Sequence, residues 1–340
     1  MSWFAHIHLY LSTGIIYGIA AIGLGLIYKY LKFPDFTTTI SFSAGAAMMA
    51  FMSQVNINSA PILSVVSALF LSVIIGGILG MITYSQIRYI KINNILAGII
   101  TSVGAMSLIY IITNNEALIN VNEDSVRSIF NSILKVKFSW QNIIILVIIG
   151  LLLTTGIAKI FKTQYGLYIL GLLGTDNYIA HRHHNKEKAR FLLLVLGNSI
   201  ISFSGALLTV QNVNFNISGT PDFLIISLSG YVLSSFIIQI FSNTNKPYLQ
   251  IDIRATHPSV KMSLPLKGIK DILNKNDEEP SKIGSFLFFI IVGTVIINVI
   301  FQSIDVTVGN NNKISYLYKA SLFLVVMLIG NYERIFSHKK

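Results

Sequence analysis

The chain has 340 residues, 53% of them hydrophobic and only 11% charged, with a formal net charge of +11 and a mean hydropathy of +0.67. A soluble domain carries roughly a quarter charged residues, so there is too little charge here to solvate a globular surface. Cysteine is absent, which excludes disulfides, thiolate metal sites and cysteine nucleophiles.

The apolar residues come in blocks long enough to cross a hydrocarbon core of roughly 30 Å. Inside such a core every backbone N–H and C=O must be paired within its own element, and a barrel would show short alternating strands instead of solid runs. The expected fold is all-α: one polytopic membrane bundle of about nine transmembrane helices, forming a single transmembrane domain over residues 1–340. Residues 1–8 lack a basic region and the run that follows lacks a small-residue cleavage site, so that run reads as a retained first helix. In chain order the expected spans are 11–28, 37–52, 61–84, 95–113, 143–160, 191–208, 223–241, 284–301 and 317–332. The second is short and rich in threonine and serine, which suits a partial or broken helix lining a cavity.

Lysine and arginine then fix the orientation. With nine spans, twenty of these residues fall in loops on one side, among them Lys29, Arg88, Lys162 and Arg190, against four on the other, Arg127, Lys135, Lys137 and Lys313. Lys319 falls just inside the last span. This asymmetry needs an odd number of spans and predicts an external N-terminus and a cytosolic C-terminus. Much of the net charge is then orientation signal and attraction to anionic lipid. Three polar segments separate the spans: an external one over 114–142, whose 126–136 stretch suits an interfacial helix, and cytosolic loops over 163–190 and 242–283, the latter with a short helix expected over 266–274.

Gly14 and Gly18, Gly76 and Gly80, Gly45-Ala46-Ala47 and Ser204-Gly205-Ala206 place small residues where helices can approach closely. Ionisable groups are nearly absent from the spans: Asp35 is expected at the cytosolic mouth and Asp222 at the outer one. This counts against an ion-coupled carrier, which commonly uses charges at mid-depth. The histidines around Arg182 have no second cluster to complete a metal site, and no nucleotide-loop, metalloprotease or nucleophile-elbow motif is present, so neither metal, cofactor nor enzymatic activity is expected. The useful polar groups lie within spans. Thr37, Thr38, Thr39 and Ser41 open the second, Asn198, Ser199 and Ser202 follow helical spacing on the sixth, and Ser227, Ser229, Ser234, Ser235 and Gln239 mark the seventh. Each alone can bond back to its own helix; together they can line a path for a small zwitterion, with Thr38, Ser41, Asn198 and Ser202 facing it.

Gly14-Ile15-Ile16-Tyr17-Gly18-Ile19-Ala20-Ala21-Ile22-Gly23-Leu24 resembles the opening helix of ABC-importer permeases of the branched-chain amino-acid class. Phe33-Pro34-Asp35-Phe36-Thr37, Ser41-Phe42, Gly45-Ala46-Ala47, Tyr165-Gly166-Leu167, Gly174-Thr175-Asp176-Asn177 with Ala180, and Leu196-Gly197-Asn198-Ser199 resemble a group within that class described as tryptophan/tyrosine or amino-acid permeases. The likeness covers roughly residues 10–240. It implies a subunit of a bacterial cytoplasmic (inner) membrane importer that moves an amino acid or similar small polar solute. It also implies partners: paired permease subunits as a homodimer or pair, cytosolic ATPase subunits, and an extracytoplasmic solute-binding protein. By the same resemblance Asp176, Asn177, Ala180, His184 and Asn185 lie on the ATPase-coupling segment, with a short helix over 176–183. Phe42 joins Thr38, Ser41, Asn198 and Ser202 on the substrate pathway. The chain departs from the family at His184, where glycine is usual, and at Thr39-Ile40, where an acidic-glycine pair is usual. An ion-coupled secondary carrier and a non-transporting membrane scaffold stay open as readings from other classes.

Overall fold

The computed structural model of the chain describes residues 7–31, 33, 35–54, 61–113, 118–120, 140–163, 166, 169, 183–212, 214–216, 220–242, 280–308 and 312–330. Among the described residues the protein is almost entirely helical. The long helices are α1 (Ile7–Leu31), α2 (Thr37–Gln54), α3 (Pro61–Ser85), α4 (Asn94–Ile112), α5 (Trp140–Lys162), α6 (His183–Gln211), α7 (Thr220–Ser242), α8 (Pro280–Val308) and α9 (Asn312–Gly330). They stand at the positions where the apolar blocks place spans. Two short strands, β1 (Leu118–Asn120) and β2 (Asn214–Asn216), pair antiparallel with Leu118 opposite Asn216. The stretches expected to be helical over 126–136 and 266–274 lie outside the described residues.

Local chemistry sets the helix starts. Pro61 and Pro280 open α3 and α8, where the N–H that proline lacks has no intrahelical partner to lose. The Asn93 side chain accepts from the Ile95 N–H at 3.1 Å and caps α4. At the far end of α3 the chain tightens into a π-helical turn, Gln86–Ile90, and leaves it through Lys91 in the left-handed region, φ 58°.

Among the described residues six segments are long and apolar enough to cross a membrane: Ile7–Leu31, Leu63–Ile90, Asn94–Ile112, Ile143–Lys162, Glu187–Gln211 and Ile283–Val306. The protein is therefore an integral membrane protein. The apolar cores of α7 and α9 are shorter, Asp222–Ile238 and Leu317–Met327. α2 is an unbroken helix of 18 residues rather than a broken one. It is short because it is enclosed: nearly all of it is buried by neighbouring helices, so it needs neither the length nor the apolarity of a lipid-facing span. Large apolar side chains such as Phe70 on α3, Val103 on α4 and Leu152 on α5 are exposed, as befits a hydrocarbon-facing surface.

Packing divides the helices into two groups around α1. α6 lies against α3, α2 and α1, while α7 lies mainly against α8 and then α1 and α9. Although consecutive in the chain, α6 and α7 scarcely touch. The buried side chains follow this division in the main, though Ala189 and Leu193 of α6 join the second core and Phe223 of α7 the first. One core joins α1, α2, α3 and α6, with Ile16, Ile19, Met49, Leu194 and Ile201 among its members. The other joins α1, α7 and α8, with Ile22, Tyr231, Leu287 and Ile290. Small residues permit the close approaches in each group. A Cβ at Gly45 would overlap the Ser202 carbonyl oxygen, and one at Gly205 the Phe42 carbonyl oxygen, so α2 and α6 meet backbone to backbone. Gly230 and Thr294 do the same for α7 and α8. Gly14 and Gly18 face Val295 and Ile291 of α8.

Candidate functional site

The sequence singles out polar residues on the second and sixth spans, and the α2–α6 contact brings them together. The Ser41 hydroxyl donates to Asn198 Oδ1 at 2.7 Å. Asn198 Nδ2 donates to Asp35 Oδ2 and to the Leu194 carbonyl, both at 3.0 Å. The Thr37 N–H donates to Asp35 Oδ1 at 2.9 Å, and the Thr38 hydroxyl to the Asp35 carbonyl at 2.7 Å. Ser202 donates to the Ser72 carbonyl of α3 at 2.7 Å. Ser41, Asn198 and Ser202 are fully buried and Asp35 is 6% exposed. Thr37 extends the network through Thr83 on α3, 2.7 Å away, to Thr101 on α4, a further 3.0 Å on. These groups therefore meet within helix contacts, bonded to each other and to backbone.

Asp35, expected at the cytosolic mouth, is buried within the bundle. It caps the enclosed α2 and reaches Asn198, midway along α6. Burial deprives a carboxylate of hydration, and the N–H donors of Thr37 and Asn198 replace part of it. Asp-x-Thr, an N-cap spacing, is the local signal for this, but only the enclosure of α2 turns a cap into a buried carboxyl group. Thr83, Thr101 and Ser72 are members that spacing alone does not reveal.

Beside the network, Phe42 stacks on Phe223 of α7, ring centroids 4.3 Å apart and planes 6° from parallel. Tyr17 of α1 closes the cluster at 6.0 Å from Phe42 and 6.3 Å from Phe223. Phe223 is a neighbour of Phe42 that the sequence reading does not single out.

Of the residues expected on a coupling segment, His184 and Asn185 fall in the first turn of α6, which starts at His183. Asp176, Asn177, Ala180 and the helix expected over 176–183 lie outside the described residues. Close by, Glu187 receives Arg190 at 3.2 Å and Arg88 from the end of α3 at 3.5 Å, so the start of α6 is held against α3. These arginines are substantially exposed, and such pairs contribute little stability. At the other end of the bundle Lys319 of α9 lies 2.9 Å from Asp305 of α8 and 3.7 Å from Asp222 of α7. An apolar cavity of about 380 Å³ opens between α1, α5 and α8, lined by Leu11, Ile15, Val147, Gly150, Phe288 and Ile291 among others. It is separate from the polar network.

Comparison with known proteins adds three findings. Residues 7–269 match the family described as branched-chain amino acid transport system / permease component. A tyrosine transport system permease protein of Clostridioides difficile (strain R20291) is 26% identical over 204 residues, 58% of this chain and 62% of that protein. No solved structure matches.

Proposed function

Because the chain belongs to the family of permease components of branched-chain amino acid transport systems, we propose that it is the membrane subunit of an ABC-type importer for an amino acid or similar small polar solute. Its place is the cytoplasmic (inner) membrane of a bacterium. The energy comes from separate cytosolic ATPase subunits, an extracytoplasmic protein delivers the solute, and the permease works as a homodimer or paired with a second permease. The chain itself hydrolyses nothing. In this reading it alternates between access from either side as the ATPases close and open beneath it.

The observation that carries the reading is the joining of α2 to α6 by Ser41, Asn198 and Asp35. α6 runs unbroken for 29 residues from the segment proposed to touch the ATPase to the far end of the bundle. A movement at Asp176, Asn177, Ala180, His184 and Asn185 would reach the buried polar groups through one rigid element. Thr38, Ser41, Phe42, Asn198 and Ser202 then border the solute path when the helices part. A chain without cysteine or a recognisable catalytic motif fits a binding and gating role, and the relative's name points to an amino acid as cargo.

Ala180→Glu tests the coupling segment. A carboxylate in a surface meant for a close protein contact should abolish co-purification with the ATPase subunit, while the permease stays inserted and monodisperse. Co-purification that survives the change would contradict the assignment. The buried Asp35 favours a second reading, an ion-coupled carrier, since a carboxylate at depth is a common element of such proteins. Uptake that follows an imposed Na⁺ or proton gradient without ATPase would select it.

A further inference from the structure

The first turns of α6 meet the end of α3 in a cluster built on one carboxylate. Glu187 Oε1 accepts from Arg190 at 3.2 Å. Its Oε2 lies 3.5 Å from the Arg88 guanidinium and accepts from the Tyr84 hydroxyl at 3.4 Å. Tyr84 is itself set by an edge contact with Phe191, ring centroids 5.2 Å apart. Glu187 is the more enclosed partner, its side chain 19% exposed against 41% for Arg88 and 39% for Arg190. It thus anchors two guanidiniums at the surface. Each carries five N–H donors, so one carboxylate uses only a few of them. Lys91 and Lys188 are exposed nearby, which sets four cations against one carboxylate in 84–91 and 187–191. Away from this cluster α3 shows an apolar stripe. Phe70, Ile74, Ile78 and Ile82 are all exposed, and steps of four residues keep them on one face. From Phe70 to Ile82 the stripe runs about 18 Å at 1.5 Å per residue, and one further step reaches the π-helical turn Gln86–Ile90 that carries Arg88.

We propose that this surface binds one anionic phospholipid: Arg88 and Arg190 clamp the headgroup phosphate, and an acyl chain lies along the α3 stripe. The two parts of the surface match the two parts of that ligand. Guanidinium forks pair bidentately with phosphate oxygens, and Glu187 holds both in place beforehand, which lowers the ordering cost of binding. The surplus of cations favours a headgroup with net negative charge over a zwitterionic one. The stripe is about as long as one leaflet is deep, half of a hydrocarbon core of roughly 30 Å. Tyr89 and Lys91, both exposed on the same turn, are residue types that settle at the boundary between hydrocarbon and water. Charge also decides against a second copy of the chain as occupant. A twofold contact on this face would bring two like cationic clusters together. A bound phosphate, in contact with both arginines, would fasten the start of α6, where His184 and Asn185 lie, to the end of α3. The exposed ion pairs alone supply little of that hold.

The experiment is native mass spectrometry of the full-length chain in detergent, titrated with phosphatidylglycerol and, separately, with phosphatidylcholine. It reads binding and not transport, so its outcome is independent of the permease reading. Wild type should hold one phosphatidylglycerol more tightly than phosphatidylcholine; equal retention of the two would overturn the proposal without any variant. Arg88→Gln and Arg190→Gln should each weaken the first binding roughly fivefold, the share of one basic residue, and the double variant should weaken it further. Lys159→Gln removes an exposed cation near the end of α5 and should leave it unchanged. An equal loss in Lys159→Gln, or none in the double variant, would show diffuse surface attraction and overturn the proposal. Glycerol 3-phosphate should compete weakly; competition as strong as that of the intact lipid would deny the stripe a part and overturn it too. Ile78→Cys, in a chain with no other cysteine, tests the rival occupant. It should form no disulfide between copies in phosphatidylglycerol vesicles, and efficient crosslinking would place a second copy on the stripe and contradict the lipid site.

Discussion

Replacing Asn198 by alanine removes the group that ties α2 to α6, and its cost can be worked from the contacts. Asn198 donates to a buried carboxylate and accepts from a buried hydroxyl, with each partner at 2.7–3.0 Å. Losing one partner of a buried hydrogen bond leaves the other unsatisfied, at a cost of about 1–3 kcal/mol. A neutral bond between membrane helices averages about 0.6 kcal/mol. Asn198→Ala should therefore lower stability by about 2–4 kcal/mol in an equilibrium unfolding measurement in mixed micelles, followed by circular dichroism. Ser229→Ala is a matched control, because the buried Ser229 bonds back to its own helix at Ile225; it should change stability little. The decisive form is a cycle of Asp35→Ala, Asn198→Ala and the double variant. A pair in direct contact should show coupling of about 1–2 kcal/mol. Coupling within about 0.3 kcal/mol of zero would refute the claim that this bond fastens the two helices.

Glycine substitutions test the backbone contacts: Gly45→Ala and Gly205→Ala place a methyl on a facing carbonyl and should reduce the yield of monodisperse protein sharply. Gly104→Ala and Gly156→Ala, whose Cβ positions meet nothing within 4 Å, should leave yield unchanged or raise stability by up to about 1 kcal/mol. For orientation, cysteines at Ser59 and Asn311 should react with an impermeant thiol reagent added outside, and cysteines at Thr163 and Ser281 should not; the reverse pattern would invert the bundle.

Much of this architecture is legible in the sequence because the membrane imposes a simple rule on it. Apolar blocks bounded by Lys29, Arg88, Lys162 or Arg190 locate helices and their ends, since hydrocarbon admits few alternatives to a helix. The pairing of β1 after α4 with β2 after α6 puts those two helix ends together, as alternating spans require. The polar residues of the sixth span, Asn198 and Ser202, stand out by helical spacing, and so does the cluster that opens the second. What spacing cannot show is enclosure. α2 looks weak as a span because Thr37, Thr38, Ser41 and Ser43 lower its hydropathy, yet these side chains are buried and bonded. Asp35 reads as a loop residue until α2 is seen to begin inside the bundle. Phe223 is one apolar residue among many in its block, and its stacking on Phe42 arises from two helices distant in the chain. Contacts such as Gly45 with Ser202 need small residues at both places, and a single sequence marks the glycines without saying which helix they face.

The most direct test is uptake of a labelled amino acid into proteoliposomes holding the permease, its ATPase subunit and its solute-binding protein. The account predicts uptake that requires ATP hydrolysis and all three components, and that is lost in Ala180→Glu. Uptake by the permease alone, driven by an ion gradient and indifferent to ATP, would contradict it.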